Sequence, residues 1–286
     1  MIPTPSSALV LFAAVTLAPL AQASAQSIQD GRINATYAVE FSGISVAKAT
    51  VGIAVADGQY TAQLGYRTAG AGAALSSARG DITASGQIRA DRLVPASFNM
   101  TTSASKKTRK VALAMGGGSI RSFTAEPPVD YAGTGRVPVT PETLRNSLDP
   151  LSAALMPVPT GGKFGEKVCD RVLPVFDGYQ RFDLKLSYSG TVKVASPAYN
   201  GPAITCAARY VAVAGHREGN KNTKFWEENQ GLSVTLIPLG TLPYAAPYAV
   251  TVQTQWGTIE VAAASIDFNG KIKAADATPV KAPAAP

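Results

Sequence analysis

The chain of 286 residues has a net charge of +7 and an isoelectric point of about 9.4, which favours contact with anionic surfaces such as phospholipid headgroups or acidic polymers. Charged residues make up 16% and aromatic residues 7% of the sequence, while Ala, Gly, Ser, Thr and Val are abundant, a composition that suits many short strands. Nucleic acid is a poor candidate partner because no recognised binding motif accompanies the charge. No cofactor or metal is expected, since the sequence has a single His and two Cys.

The N-terminal residues 1–25 are predicted to be a cleavable signal peptide. An apolar core from Leu9 to Ala18 precedes Ala21-Gln22-Ala23-Ser24-Ala25, which offers two overlapping small-x-small cleavage sites. The core is too short to span a bilayer, which takes roughly 20 apolar residues. The sequence therefore predicts an exported protein with no stable membrane span after cleavage.

The next hundred residues are predicted to form a meander of antiparallel strands. Apolar and polar residues alternate, and Asp57-Gly58 is a strong hairpin signal. A Gly/Ala-rich segment within 68–77 predicts a short helix. The predicted strands cover residues 34–41, 46–56, 59–66, 80–89, 96–103, 107–115 and 119–124.

The densest basic run lies at the start of one of these strands. It consists of Lys106, Lys107, Arg109 and Lys110. One interpretation is a patch that binds an anionic lipid or glycan. The other is a solvated strand edge or hairpin tip, where Lys blocks edge-to-edge pairing.

Two helix-start signatures follow the Pro127-Pro128 pair. Thr140-Pro141-Glu142 and Asp149-Pro150 each combine an N-cap residue with Pro at the first helical position, so the sequence predicts two short helices within 140–156. Strands are then predicted at 167–176, 181–188, 203–214, 225–237 and 248–268, the last broken near Gly257. The Ala/Pro/Lys-rich residues 271–286 are predicted to be a disordered tail.

The even cysteine count in an exported chain predicts one disulfide, between Cys169 and Cys206. Two buried free thiols are the alternative. Nearby, Arg171 and Arg181 either contact an anionic partner or pair across strands with Asp170 and Asp183.

Catalytic chemistry is not expected. His216 is the only candidate base for a triad, and no Gly-x-Ser-x-Gly elbow is present. Trp226 beside Glu227-Glu228 would line a sugar site, or it simply covers a sheet face. The sequence therefore predicts a protein that is not an enzyme.

Several motifs resemble one family. Asp149-Pro150-Leu151-Ser152, Cys169, Phe176-Asp177-Gly178 and Tyr199-Asn200-Gly201 before Cys206 occur in the order found in proteobacterial envelope proteins of the domain of unknown function numbered 3108. The resemblance implies a periplasmic protein of a Gram-negative bacterium with no assigned chemistry. The architecture also looks similar to that of the envelope-integrity protein B family, an open β-spiral with one disulfide.

These observations predict an all-β, mostly antiparallel domain at 26–270, formed by a large curved sheet or open spiral β-barrel with two short helices. The leading functional hypothesis is a non-enzymatic periplasmic protein that supports cell-envelope integrity by binding an envelope protein, peptidoglycan or an anionic lipid. The alternatives are a periplasmic carrier of a lipid or acyl chain, and a hydrolase that acts on envelope polymers. The oligomeric state and the cleavage site used are left open.

Overall fold

The computed structural model describes residues 28–89, 91–131, 133–159 and 163–273. The predicted signal peptide and residues 274–286 of the predicted tail lie outside the described residues. Within those ranges, no helix combines the length and the apolar character that crossing a membrane requires.

The described residues form fourteen strands, three short α-helices and one 3-10 helix. The strands are β1 (Gly31–Phe41), β2 (Ile44–Ala56), β3 (Gln59–Thr68), β4 (Arg79–Ile88), β5 (Leu93–Ala104), β6 (Lys107–Gly116), β7 (Ser119–Glu126), β8 (Met156–Pro157), β9 (Arg171–Phe176), β10 (Arg181–Ala195), β11 (Asn200–Ala214), β12 (Leu232–Pro238), β13 (Tyr244–Thr254) and β14 (Gly257–Gly270). The helices are α1 (Ala71–Leu75), α2 (Pro150–Ala153), the 3-10 helix (Glu166–Cys169) and α3 (Lys221–Glu228).

All strands belong to one curved antiparallel sheet, in the order β7-β6-β5-β4-β3-β2-β1-β14-β13-β12-β11-β10-β9, with β8 paired to β13. Apart from β8, strands that are neighbours in this order are consecutive in the sequence, except β1 and β14, whose pairing joins the two halves of the chain at the middle of the sheet. The described part of the sheet is not closed, because β7 and β9 are its two edges. The predicted fold class is confirmed.

A non-strand segment lies between the two edge strands. Arg145 forms an antiparallel bridge with Ser119 of β7, and Leu148 forms a parallel bridge with Val175 of β9. The N–H of Leu148 donates to Pro174 at 2.7 Å, and the N–H of Phe176 donates to Leu148 at 2.9 Å. On the other edge, the N–H of Ile120 in β7 donates to the Leu144 carbonyl at 3.3 Å. These bonds satisfy backbone groups on both edges, which would otherwise be free to pair with another chain.

The prediction of the first of the two helices, at 140–146, is wrong. Residues 141–144 and 146 form turns and Arg145 lies in the β-bridge, although the N–H of Thr143 donates to the Oγ1 of Thr140 at 3.4 Å, as a cap would require. Asn146 has a positive φ of 53°, which interrupts a right-handed helix. The backbone beyond it is used to bridge β7 and β9. The second predicted helix is present as α2.

Two predictions in the second half are also wrong. Phe225 and Trp226, assigned to a strand, lie in α3, where the Asn220 side chain accepts the N–H groups of Asn222 and Thr223 as an N-cap. Cys169 ends the 3-10 helix rather than lying on a strand.

The disulfide between Cys169 and Cys206 is present, with Cα atoms 5.5 Å apart. It joins the 3-10 helix to β11, and both cysteines are fully buried. The folded part also continues past residue 270, where the sequence analysis begins the tail, since Ile272 is 1% exposed and packs in the core.

Candidate functional site

The concave face of the sheet carries an apolar groove. Alternate residues of β1, β2, β3, β13 and β14 point to this face, as the period of two in a strand requires. Towards one end the inward side chains are fully buried, as at Ile53 and Tyr60, which are 6% and 1% exposed. Towards the other end they are only half-buried, as at Ala49, Val51 and Leu64. The groove therefore has a filled end and an open end.

Two adjoining cavities occupy the groove, with volumes of about 180 Å³ and about 190 Å³. Ala154, Pro247 and Val250 line both of them. The first lies against β1, β2 and β3, and the second against β9, β10 and β12. Together they reach the lower end of the roughly 300–1,000 Å³ that ligand pockets occupy.

The lining is almost free of polar groups. Among the described residues that line the cavities, hydroxyl groups come only from Tyr37 in the first and Ser233 in the second. The Tyr37 hydroxyl donates to the Pro247 carbonyl at 2.8 Å, and burial raises the pKa of this phenol to about 12. The remaining lining side chains are aliphatic, with Met156 and Phe182 in the second cavity. Such a surface offers packing and no hydrogen-bond specificity.

Helix α2 forms an inner wall of both cavities: Leu151 lines the first, Ala153 lines the second, and Ala154 at the C-cap lines both. Asp149 caps it: the fully buried carboxylate accepts the N–H groups of Leu151 at 3.0 Å and Ser152 at 2.8 Å. The Ser152 hydroxyl shares a hydrogen bond of 2.6 Å with the Tyr60 hydroxyl on β3. These contacts hold a helix of a single turn against the sheet. The Asp-Pro-Leu-Ser motif is thereby explained as structure that builds the groove.

Two β-bulges bend the strands beside the first cavity. One separates Thr36 from Tyr37 in the pairing of β1 with β14, and the other separates Thr235 from Leu236 in the pairing of β12 with β13, next to Pro247. A bulge increases local twist and re-aims a side chain. The extra residue of the first bulge is Ala264 of β14. Beside it, the Tyr37 side chain reaches across β14 to β13, where its hydroxyl donates to the Pro247 carbonyl.

The predicted basic patch is divided between locations. Lys106 occupies the β5–β6 turn, and Lys107 begins β6. Lys110 forms an ion pair of 3.0 Å with Glu126. The guanidinium of Arg109 lies 5.8 Å from the ring centroid of Tyr179, within cation–π range. The four residues therefore do not form one ligand site.

The two predicted arginines have internal partners. Arg181 is 7% exposed and donates to Ser147 at 3.1 Å and to Asp183 at 2.6 Å. Asp183 lies two residues away on the same strand, so the predicted cross-strand pairing is corrected to a pairing along β10. Arg171 donates to the Pro157 carbonyl at 2.7 Å, and burial lowers the pKa of its guanidinium.

Trp226 and His216 line a separate polar pocket of about 440 Å³ beside α3. Tyr210, between Trp226 and Phe182, donates to Gln180 at 3.1 Å and has its pKa raised to about 12 by burial. The Nδ1 atom of His216 has no hydrogen-bond partner within the described part of the chain.

The acidic pair predicted beside Trp226 is engaged elsewhere. Glu227 accepts the N–H of Ala212 at 3.3 Å, and Glu228 lies 3.7 Å from Lys224. Neither carboxylate is among the described residues that line the polar pocket. The predicted acidic pair therefore does not share the polar pocket with His216, whereas the Asp177 carboxylate does line it.

The groove residues were missed as a site by sequence analysis. Small apolar side chains at inward positions, such as Ala35, Ala49 and Ala62, were visible in the alternation of β1, β2 and β3. An alternating strand predicts which side faces inward, but it does not predict whether the facing elements fill the space.

The comparisons with known proteins give the family of the chain. The family model DUF3108, described as a protein of unknown function, matches residues 36–239. No curated protein matches the chain. Among solved structures, the chain is similar to a beta-barrel-like protein of the domain of unknown function DUF1849 from Brucella abortus. The TM-score is 0.45 at 8% sequence identity, and 84% of this chain and 98% of that chain are covered. Because the family match spans most of the sequence, from β1 through α2 and both cysteines to β12, the chain belongs to the DUF3108 family.

Proposed function

We propose that this protein is an exported, non-enzymatic protein of the Gram-negative cell envelope that binds the acyl chain of a lipid in its concave groove and thereby supports envelope integrity. The observation that carries the proposal is the pair of adjoining apolar cavities between α2 and the sheet. An engineered apolar cavity of about 150 Å³ stays dry and takes up benzene. Each cavity exceeds that volume. The residues that line both cavities place them side by side, as the binding of a longer chain would require.

The chemistry of the lining favours a lipid over peptidoglycan or a peptide. A glycan or a peptide brings many hydrogen-bonding groups, and burying one of them without a partner costs roughly 1–3 kcal/mol. The groove offers almost no partner, because the Tyr37 hydroxyl is already bonded to Pro247. An acyl chain needs no partner and gains about 0.8 kcal/mol for each buried methylene group.

Export is supported by the buried disulfide, since such bonds form and persist in oxidising compartments. The predicted signal peptide and the family resemblance favour the periplasm. Deleting the gene is expected to sensitise the cell to detergents and other envelope stress. A deletion strain with unchanged sensitivity would contradict the role in envelope integrity.

Binding is tested by titrating the purified protein with anthroyloxy-labelled stearic acid and measuring the probe's fluorescence. Ala49→Phe places a ring in the first cavity, whereas Ala54→Phe places the same ring on the convex face of the same strand. In the Ala49→Phe variant, the ring is expected to exclude about two methylene groups of the stearic acid from the groove. At ~0.8 kcal/mol for each methylene group, binding weakens about tenfold. The Ala54→Phe variant is expected to bind like the wild type.

Equal affinity of all three proteins would show that the probe binds outside the groove. Absence of binding to the wild type, together with native mass spectra free of lipid, would remove the proposal. Thermal unfolding of the variants verifies that each remains folded.

A further inference from the structure

Three large apolar side chains are exposed at one end of the sheet. Ile44, Leu75 and Trp256 retain 56%, 87% and 79% of their accessible surface. Ile44 follows the β1–β2 turn, Leu75 ends α1 in the β3–β4 connection, and Trp256 lies in the β13–β14 turn. Because neighbouring strands are antiparallel, these three connections lie at the same end, here called the rim (residues 42–44, 69–76 and 255–256). The packing of the fold gives no reason for this exposure.

The three connections are also contiguous. The N–H of Ser42 donates to the Thr258 carbonyl at 2.7 Å, and the N–H of Thr258 donates back to the Ser42 hydroxyl at 3.3 Å. On the other side, the N–H of Ala69 donates to the Val46 carbonyl at 3.0 Å. The exposed apolar residues therefore belong to one surface that follows the strand order β4-β3-β2-β1-β14-β13.

A row of cations lies beside the rim on the face of the sheet opposite the groove, where the three side chains line a depression together with Asp81. Lys48 of β2 is directly opposite Arg67 of β3, and Arg67 is directly opposite Arg79 of β4. All three are exposed, and none forms an ion pair with any described residue. Like charges directly opposite one another destabilise a sheet. An anionic surface outside the protein would relieve that repulsion.

The charges around the row define its extent. Lys106 and Lys107 at the neighbouring β5–β6 connection add two cations at the same end. Asp81 lies two residues from Arg79 along β4, and Glu40 and Glu260 are paired opposite each other on β1 and β14. The cationic surface therefore covers the side formed by β2 to β6.

We propose that the rim docks on an anionic phospholipid bilayer, with Ile44, Leu75 and Trp256 at the interface and the cationic row against lipid phosphates. Amphipathic Trp rings favour this depth of a bilayer, and basic residues near an anionic surface strengthen binding. The open end of the groove faces the same way, since its inward side chains are half-buried towards the rim and buried away from it. The inference goes beyond ligand uptake, because docking is measurable without a ligand in the groove.

Docking is tested on the purified protein carrying Trp226→Phe, which leaves Trp256 as the single Trp. Vesicles of phosphatidylglycerol and phosphatidylcholine are expected to shift the Trp256 emission to the blue, and brominated lipid is expected to quench it. Vesicles of phosphatidylcholine alone are expected to have a much weaker effect. Raising the salt from about 0.1 M to 1 M shortens the Debye length from about 10 Å to 3 Å, so binding to the anionic vesicles is expected to fall.

Co-sedimentation with the same vesicles separates the contributions of charge and apolar surface. Arg67→Gln is expected to weaken binding about fivefold, and the triple substitution of Lys48, Arg67 and Arg79 by Gln on the order of 100-fold. Leu75→Ser is expected to weaken binding, whereas Val192→Ser, 43% exposed in the wild type near the opposite end of the sheet, is the matched control with no effect. The N-terminal segment is the same in all variants, so a difference in vesicle binding between two variants is due to the substituted residues.

A Trp256 emission that anionic vesicles do not change would overturn the proposal, and so would equal sedimentation with neutral and anionic vesicles. Loss of binding in Val192→Ser as large as in Leu75→Ser would also overturn it, because the contact would then not be specific to the rim. Binding of anthroyloxy-stearic acid without vesicles is measured in parallel, so that failure of docking and failure of the groove proposal are distinguished.

Discussion

Removing the cap of α2 is expected to destabilise the fold and to disorganise the wall of the groove. Asp149 is 0% exposed, and its Oδ1 atom accepts two N–H groups, from Leu151 and Ser152. Its Oδ2 atom has no partner within the described residues. Asp149→Ala removes the acceptor, while Asp149→Asn keeps an oxygen for the same two N–H groups and removes the charge.

The magnitude follows from these contacts. Loss of an N-cap side chain costs roughly 0.5–2 kcal/mol, and a buried N–H left without an acceptor costs roughly 1–3 kcal/mol. Because the site is fully buried and water does not replace the carboxylate, Asp149→Ala is expected to lower the free energy of unfolding by about 2–4 kcal/mol. Asp149→Asn is expected to change it by less than about 1 kcal/mol at neutral pH.

The pH dependence has a defined sign. Burial raises the pKa of the Asp149 carboxyl above its usual value of 3.8, and the hydrogen bonds from Ser152 and Leu151 only partly oppose that shift. The folded state therefore binds this proton more tightly than the unfolded state. The wild type gains stability from this group as the pH falls through the raised pKa towards 3.8, so the advantage of Asn over Asp is largest at neutral pH and shrinks in acid.

The assay is urea unfolding monitored by tryptophan fluorescence, at neutral pH and at several lower pH values down to about 4, near the usual pKa of an Asp carboxyl. Asp91→Ala is the control, because the Asp91 side chain is 54% exposed, and a change within about 0.5 kcal/mol is expected. Equal stability of the Ala and Asn variants would refute the capping argument. A wild type that loses stability relative to Asn as the pH falls would refute the sign.

Two further perturbations test contacts between elements that are distant in the sequence. Replacing both Cys169 and Cys206 by Ala opens a loop with a sequence separation of 37 residues, and the chain-entropy model predicts a loss of about 4 kcal/mol, measured by urea unfolding without reductant. Gly178→Ala is expected to destabilise by roughly 1–3 kcal/mol, since the residue has a φ of +89° and a Cβ would meet Val111. In the double variant, Val111→Ala is expected to remove the clash with the new Cβ but not the cost of a positive φ at a residue other than Gly. If the double variant were as stable as Val111→Ala alone, the positive φ would carry no cost.

The strands of the first half were predictable because local signals agree with the tertiary structure. Alternation defines β1, β2 and β3, and Asp57-Gly58 forms the expected turn, with positive φ at both residues. A second Asp-Gly pair, Asp177-Gly178, lies in the connection between β9 and β10, where a side chain holds the turn. The Asp177 carboxylate accepts the N–H groups of Tyr179 at 2.7 Å and Gln180 at 2.6 Å, and Gly178 packs against Val111 of β6.

The secondary-structure predictions were wrong where local sequence signals conflict, or where pairing with distant strands determines the conformation. Phe225 and Trp226 have high strand propensity, but the Asn220 cap and the Lys224–Glu228 pair at i,i+4 spacing favour a helix. The segment after Thr140 has a good helix start, yet the edges of β7 and β9 use its backbone. No sequence pattern near Thr140 predicts that this segment pairs with the edge strands. Whether the groove is hollow depends on how much of it α2 fills. The alternation of apolar and polar residues along one strand does not predict this.

The motifs that carry the family resemblance contribute to the groove through structure rather than through chemistry. Asp149 and Ser152 fix α2, whose C-cap Ala154 lines both cavities. The disulfide anchors β11 beside the second cavity, where Ala208 lies two residues beyond Cys206. A rigid inner wall keeps an apolar cavity from collapsing, because closing it would break a buried cap and a covalent bond. The residues that recognise a ligand would then be the aliphatic side chains of β1, β2 and β13, which can change in size while the wall stays in place, and chain length rather than headgroup would set the selectivity of the groove.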